Sequence, residues 1–358
     1  MVKKTIAKLT PYIPEKTIAE LKQEQGLTKL VRLSANENEW GTSPKVAQAI
    51  LDWGVKDANR YPDSEVTDLR QAIATGLNVD PEGLVFGDGL DEIIQLLSRT
   101  LLSPGDEVVL TQPTFSEYAL HAEIEGAKMV NVPVDVSGVT DLNGMLAAIT
   151  PATAMVWLCN PNNPTGTYVS HQAIAEFMAK VPKSVTVVVD EAYIDFVTAE
   201  KPASVVDLLS KFTNLIVLRT FSKAYGLANF RVGFAVVDPQ LAQTLQTVRL
   251  PYNLSTFAEI AASAAYSDQQ FVQKVVTVVA EERQKWAAFF KQLNLLSYPS
   301  QANFVFFKVD QSAQLSQYLL KHGYLVRTGL GPDWLRITIG QPADNQAVQK
   351  LIREFVKQ

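Results

Sequence analysis

The sequence predicts an α/β protein with a large domain on a mostly parallel central sheet flanked by helices, followed by a smaller α/β domain. Three observations carry this. Short apolar runs rich in β-branched residues alternate with helical patterns through the middle of the chain. Those runs lack the polar alternation of a half-exposed strand, so they belong to strands covered on both faces. The last third then changes character, with one long helical pattern followed by shorter elements. At 358 residues, roughly 150 per domain leaves room for two domains.

In chain order, residues 16–25 read as a helix set apart from the large sheet and packed on the smaller domain. Gly87-Asp88-Gly89 opens a helix over 90–101. A strand at 108–110 precedes a helix at 115–125. A strand at 154–158 precedes a helix at 170–180, with Ser170 as its cap. Further strands are expected at 185–189, 215–218 and 232–237. After these come a long helix at 268–293, a strand at 303–308, a helix at 312–322, two short strands at 324–327 and 335–339, and a last helix at 345–356. The division expected is 40–268 for the large domain, with 1–39 and 269–358 forming the small domain and an N-terminal arm.

Composition excludes several functions. Net charge is -5 and there is no basic tract, which argues against a nucleic-acid surface. The single cysteine, Cys159, rules out a disulfide framework and a cysteine-based zinc site. His121, His171 and His322 show no metal-ligand spacing. No apolar run reaches the ~20 residues of a membrane span or resembles a secretion signal. A cytoplasmic protein with small-molecule partners is the expectation.

Ligands of open α/β sheets bind beyond the carboxyl ends of the strands. The residues there are Asn160 to Gly166, then Asp190, Glu191 and Tyr193, then Arg219, Thr220, Ser222 and Lys223, with Arg231 eight residues on. Taken singly, each has an ordinary reading: Asn-Pro turns, a loop-capping aspartate, a solvated lysine. Gly87-x-Gly89 is weak, and no nucleotide-binding P-loop is present. Together at successive strand ends they meet the needs of pyridoxal 5′-phosphate. That cofactor requires a lysine for its aldehyde, a carboxylate for its pyridine nitrogen, and backbone N–H groups, hydroxyls and an arginine for its phosphate.

Ser222-Lys223-Ala224-Tyr225-Gly226-Leu227 with Arg231-x-Gly233 resembles the lysine signature of the class I/II, fold-type I aminotransferases. Asn163-Pro164-Thr165-Gly166 and Asp190-Glu191-Ala192-Tyr193 fall in that family's order. The resemblance covers nearly the whole chain from Pro11. It is nearest to the branch acting on histidinol phosphate, through Pro11-Tyr12-x-Pro14, Leu33-x-Ala35-Asn36-Glu37-Asn38, Arg60-Tyr61-Pro62-Asp63 and Leu335-Arg336-Ile337-Thr338-x-Gly340.

The resemblance implies a homodimeric, pyridoxal-phosphate-dependent transaminase of histidine biosynthesis. Lys223 would bind the aldehyde and shuttle the proton. Asp190 would pair with the ring nitrogen, Tyr193 and Asn163 with the ring oxygen, and Phe115 would stack on the ring. Gly89, Leu90, Asp91, Thr220, Ser222 and Arg231 would hold the phosphate, joined by Tyr61 of the second subunit. Arg336 would take the substrate carboxylate or phosphate, Tyr12 and Arg327 would complete the phosphate site, and Asn36 would line the mouth. Three departures from the family pattern bear on substrate choice: Glu39 with Trp40 in place of a proline, Asn229 in place of a glycine, and Phe115 in place of a tyrosine. Asn229 is expected to keep its turn by tolerating left-handed backbone. Alternatives are an aromatic amino-acid aminotransferase, a threonine-phosphate decarboxylase and, in another class, a non-enzymatic cofactor-binding regulator. The last normally carries a DNA-binding domain for which the ten residues before Pro11 leave no room. Cys159 and the Phe304, Phe306, Phe307 cluster are expected in the core.

Overall fold

The computed structural model describes residues 5–9 and 16–357. The chain begins with α1 (Ile18–Gln25), β1 (Val31–Leu33), α2 (Pro44–Trp53) and α3 (Thr67–Leu77). The middle runs β2 (Leu84–Asp88), α4 (Gly89–Leu101), β3 (Glu107–Gln112), α5 (Ser116–Glu125), β4 (Lys128–Pro133), α6 (Leu142–Ala147), β5 (Thr153–Cys159), α7 (His171–Met178), β6 (Thr186–Asp190), β7 (Leu215–Thr220) and β8 (Val232–Val236). It ends with α8 (Pro239–Val248), α9 (Thr256–Tyr266), α10 (Gln269–Gln292), β9 (Phe304–Lys308), α11 (Ser312–Lys321), β10 (Tyr324–Val326), β11 (Trp334–Thr338) and α12 (Pro342–Val356).

Seven strands form the large sheet in the order β2-β8-β7-β6-β5-β3-β4. All neighbours pair in parallel except the two contacts of β8, which runs against both β2 and β7. The apolar runs are buried as their composition requires: Val187, Val188, Val189 and Leu215 to Leu218 are all fully enclosed. Each such side chain stabilises the fold by roughly 1.5–3 kcal/mol relative to exposure. Because β8 is reversed, its first residue Val232 lies opposite Asp88, the last residue of β2, while Gly233 lies opposite Thr220. Cys159 likewise pairs with Asp190. The ends of β2, β5, β6 and β7 and the start of β8 therefore share one edge, and every catalytic candidate of the middle segment falls there.

Two smaller sheets complete the molecule. β9 and β11 pair antiparallel, and β1 pairs in parallel with β10. The N-terminal segment thus joins the C-terminal region through a strand. Helix α1, expected to make that contact, buries no residue. Its helical conformation comes instead from a Thr17–Glu20 capping box and a Gly26 left-handed stop. Helix α12 starts at Pro342, earlier than expected, because proline suits the first helical position. Phe304, Phe306 and Phe307 are core residues, with Phe307 stacked on Phe290 and Phe306 on Trp334.

Candidate active site

Asp190 ends β6 at the shared edge and is 3 % exposed. Its Oδ1 accepts the Ala192 N–H at 2.9 Å and its Oδ2 accepts the Tyr118 hydroxyl at 2.6 Å. Burial pushes its carboxyl up to about 6, against the pull of those two bonds. Tyr193 is buried three residues after the end of β6, and its hydroxyl accepts Asn36 Nδ2 at 3.1 Å. Burial raises that phenol to about 12, while the nearby Arg336 charge opposes the rise. Lys223 is half-buried, with Nζ 5.7 Å from the centre of the Tyr193 ring and donating to the Ala35 carbonyl at 3.1 Å. Burial first, and the Arg336 charge second, push its ammonium down to about 8. A lysine at that value is partly neutral near pH 7 and can act as nucleophile or base.

Arg336 comes from β11 and is 7 % exposed. Nη1 donates to Asn163 Oδ1, Nη2 donates to the Ser34 carbonyl at 2.6 Å, and the guanidinium lies 5.3 Å from the Phe304 ring centre. Phe304 in turn meets Tyr193 edge-on at 5.1 Å. With its Oδ1 so used, Asn163 keeps Nδ2 as a donor. Arg327 sits across from Arg336, their backbones exchanging N–H···O bonds of 3.1 and 3.0 Å. Asn36 adopts a left-handed conformation, φ 55°. Its N–H donates to Thr338 Oγ1 at 2.9 Å and its carbonyl accepts Asn303 Nδ2 at 3.1 Å.

The other end of the edge is built mainly from backbone. Gly89 opens α4 at φ +71°, and a Cβ there would come within 2.2 Å of the Arg231 guanidinium. A Cβ at Gly233 would lie 2.9 Å from the Leu90 nitrogen. Both glycines are needed to bring chain and guanidinium this close to the helix start. The Gly89 N–H donates to the Arg231 carbonyl at 2.9 Å, but no side chain caps α4, so the N–H groups of Leu90 and Asp91 are available to an anion. Ser222 N–H donates to Thr220 Oγ1 at 3.1 Å. Arg231 Nη2 pairs with the Asp91 carboxylate at 3.0 Å, and Nε lies 4.0 Å from Asp88. The donor set fits pyridoxal 5′-phosphate: an uncapped helix start with an arginine against its glycine, a lysine of lowered basicity, and a buried acid at the opposite end.

A family model for aminotransferase class I and II matches residues 28–353. The chain is 52% identical over 354 residues to a histidinol-phosphate aminotransferase of Lactiplantibacillus plantarum, with 99% of both covered. It is 48% identical over 360 residues to that of Limosilactobacillus fermentum, covering 100% of this chain and 99% of the relative. The chain belongs to the histidinol-phosphate branch of the class I and II aminotransferases. Its fold matches the crystal structure of histidinol-phosphate aminotransferase from Sinorhizobium meliloti in complex with pyridoxal 5′-phosphate. The TM-score is 0.89 at 28% identity, over 99% of this chain and 97% of that one.

In this aminotransferase, Lys223, Asp190, Tyr193, Asn163, Asn36 and Arg336 converge, with Arg327 alongside. Gly89, Leu90, Asp91, Thr220, Ser222 and Arg231 gather at the start of α4. Phe115 caps α5 next to Tyr118, ring centres 5.6 Å apart. Tyr61 does not reach this chain's own site: it is 81% exposed and stacked on Tyr252 at 4.8 Å. Tyr12 lies outside the described residues. Two expectations need correction. Asn36 does not line the mouth but is 1% exposed, drawn inward by Tyr193, Thr338 and Asn303. The left-handed residues in the lysine loop are Gly226, φ 70°, and Arg231, φ 55°, not Asn229, which lies in a 3-10 turn at Ala228–Phe230. Sequence reasoning missed Tyr118, Ser34, Thr338 and the role of Phe304 as a wall of the site. Tyr118 had a signal: a tyrosine one helical turn after Phe115 faces the same way.

Proposed function

We propose that this chain transfers an amino group between L-glutamate and imidazole-acetol phosphate, giving 2-oxoglutarate and histidinol phosphate, with pyridoxal 5′-phosphate as cofactor. The carrying observation is the convergence of Lys223, Asp190 and Tyr193 beside Arg336, with Arg327 across the strand pair. When bound, the cofactor supplies an aldehyde that takes up an amino group and a ring that withdraws electrons from the substrate Cα. Lys223 would hold the aldehyde end and would move the proton between the substrate Cα and the carbon that carries the aldehyde. Asp190 keeps a proton on the ring nitrogen. Tyr193 and the free Asn163 Nδ2 bind the ring oxygen, and Phe115 covers the ring. Leu90, Asp91, Gly89, Thr220, Ser222 and Arg231 hold the phosphate, for which Arg231 exchanges its Asp91 contact.

Arg336 holds the glutamate carboxylate in one half-reaction and assists the substrate phosphate in the other, because its planar fork suits both anions. Arg327 and Tyr12 complete the phosphate site, and Asn36 acts by orienting Tyr193. Residues 40–268 form the large domain; 269–358 with 1–39 form the small one. The active unit is a homodimer in which Tyr61 reaches the partner's phosphate site. Support for that comes from the exposed apolar residues gathered around α2 and the segment before α9: Val55 is 79%, Tyr61 81% and Leu250 69% exposed. Small molecules are the partners, and the reaction belongs to the cytoplasm.

An absorbance titration of cofactor-loaded protein tests the substrate assignment. Histidinol phosphate and phenylalanine are added in parallel. Conversion of the bound cofactor to its amine form at far lower histidinol phosphate is expected. Equal or easier conversion by phenylalanine would point to an aromatic aminotransferase, and release of carbon dioxide from threonine phosphate to a decarboxylase. Absence of any cofactor band would overturn the reading altogether.

A further inference from the structure

A buried carboxylate stays charged only if bonds replace the water it has lost. Asp190 has no arginine or lysine within ion-pair distance among the described residues, and its oxygens accept two hydrogen bonds there. One comes from the Ala192 N–H of its own loop. The other comes from Tyr118 on α5, at 2.6 Å, a short bond of the kind a charged acceptor makes. Tyr118 itself is fully enclosed and held flat on Trp157, ring centres 4.4 Å apart and planes 9° from parallel. Its hydroxyl is thus fixed by packing rather than by Asp190 alone. The other titratable groups that face this carboxylate are the Cys159 thiol on β5, the Tyr193 phenol, Lys223, and Asp91 on α4, whose negative charge disfavours it.

We infer that Tyr118 is a positioning residue for the reaction, whose hydroxyl keeps Asp190 charged and aimed at the cofactor's ring nitrogen. The inference rests on the role proposed above for Asp190. Without the Tyr118 donor, the proton shared between Asp190 and the ring nitrogen moves toward Asp190. The ring then withdraws electrons less strongly, and turnover falls while substrate binding at Arg336 is untouched.

The test uses the holoenzyme loaded with cofactor labelled with 15N at the ring nitrogen. The resonance is followed on the alkaline side, where part of the nitrogen is already neutral. In Tyr118→Phe the resonance moves toward the neutral-pyridine position, and kcat falls about tenfold while KM for glutamate changes by less than about twofold, the scale of one hydrogen bond to a charged group. Trp157→Phe, which keeps an aromatic ring stacked against Tyr118 and keeps the hydroxyl in place, leaves the resonance in place. A stronger donor of nearly the same shape, 3-fluorotyrosine at position 118, moves it the opposite way. An unmoved resonance in Tyr118→Phe, or an equal displacement in Trp157→Phe, overturns the inference. Should Tyr118→Phe fail to fold, the fluorotyrosine protein decides alone, and no movement there overturns it. A wild-type protein that takes up no cofactor would instead defeat the proposed function.

Discussion

The two ends of the site are made differently. At the start of α4, the glycine backbone and the adjacent hydroxyls and guanidinium come from Gly89, Leu90, Thr220, Ser222 and Arg231. Arg231 and its acidic neighbour Asp91 are well exposed there. At the other end, Asp190, Tyr118, Tyr193, Asn36 and Arg336 form a buried network of side chains, each tied to a residue from a distant part of the chain. A backbone-built cradle with buried amides and hydroxyls and an exposed guanidinium suits the binding of an anion, since amide groups cannot titrate away. A buried side-chain network suits chemistry, since dry surroundings shift Asp190 to about 6 and Lys223 to about 8. On this account the first end sets cofactor affinity and the second sets turnover and substrate choice.

The largest effect is expected at Lys223, half-buried between the two ends with Nζ facing the Tyr193 ring. Lys223→Ala should reduce turnover by about 10³-fold or more, in the range expected for losing both a nucleophile and a general base. Circular dichroism should show an intact fold. Turnover near wild type would break the division between the two ends.

Next in size is Arg327→Ala. The loss of a charge-assisted phosphate contact should lower kcat/KM for histidinol phosphate by about 10- to 100-fold and that for phenylalanine by less than about threefold. Steady-state comparison of the two substrates checks this, and matched losses would deny Arg327 a dedicated phosphate contact.

A pH profile sharpens the comparison further. With Lys223 lowered to about 8, its neutral fraction rises about tenfold between pH 7 and 9. The rate of cofactor uptake, followed by absorbance, should rise with it and then level. The same shift gives a stability signature of fixed sign. From about 8 up to the ordinary lysine value of 10.5, the folded chain binds fewer protons than the unfolded one. The unloaded protein should therefore gain stability from this group as pH rises through that window. An uptake rate flat across this range would contradict the lowered value.

Asp91→Asn should have the smallest effect. Its pair with Arg231 is exposed on both sides, so stability should change by less than ~1 kcal/mol. Freed from this partner, Arg231 should bind the cofactor phosphate about two- to fivefold more tightly, since only a surface pair is relieved. Weaker cofactor binding in this variant would mean that Asp91 supports the cradle.

The same contrast decided what could be read from the sequence. The lysine loop is local: Ser222, Lys223, Arg231 and Gly233 lie within a dozen residues, and adjacent strand ends bring them together once the sheet is recognised. Buried strands such as Val187 to Val189 were legible because burial on both faces demands continuous apolar residues. The pairings inside the buried network were not, although the resemblance named Asp190, Tyr193, Asn36 and Arg336 singly. Asn36 and Thr338 stand 302 positions apart, and Tyr118 and Asp190 stand 72 apart, so topology rather than local pattern makes each pair. Strand β1 is three residues long, too short for any periodicity to register, yet it ties the N-terminal segment to β10. Helix α9 was missed for a different reason: Ala258, Ala261, Ala262 and Ala265 pack closely on their neighbours without the large apolar residues that mark a helix face.

The division between the two ends is tested most directly by one paired measurement on Arg231→Ala and Tyr193→Phe: the dissociation constant for pyridoxal 5′-phosphate, and kcat at saturating cofactor. Arg231→Ala should weaken cofactor binding by about tenfold or more while kcat stays within about threefold, the scale of one charge-assisted phosphate contact. Tyr193→Phe should do the reverse. If both variants lose affinity and turnover in the same proportion, or if Arg231→Ala lowers kcat alone, the two ends do not divide the work.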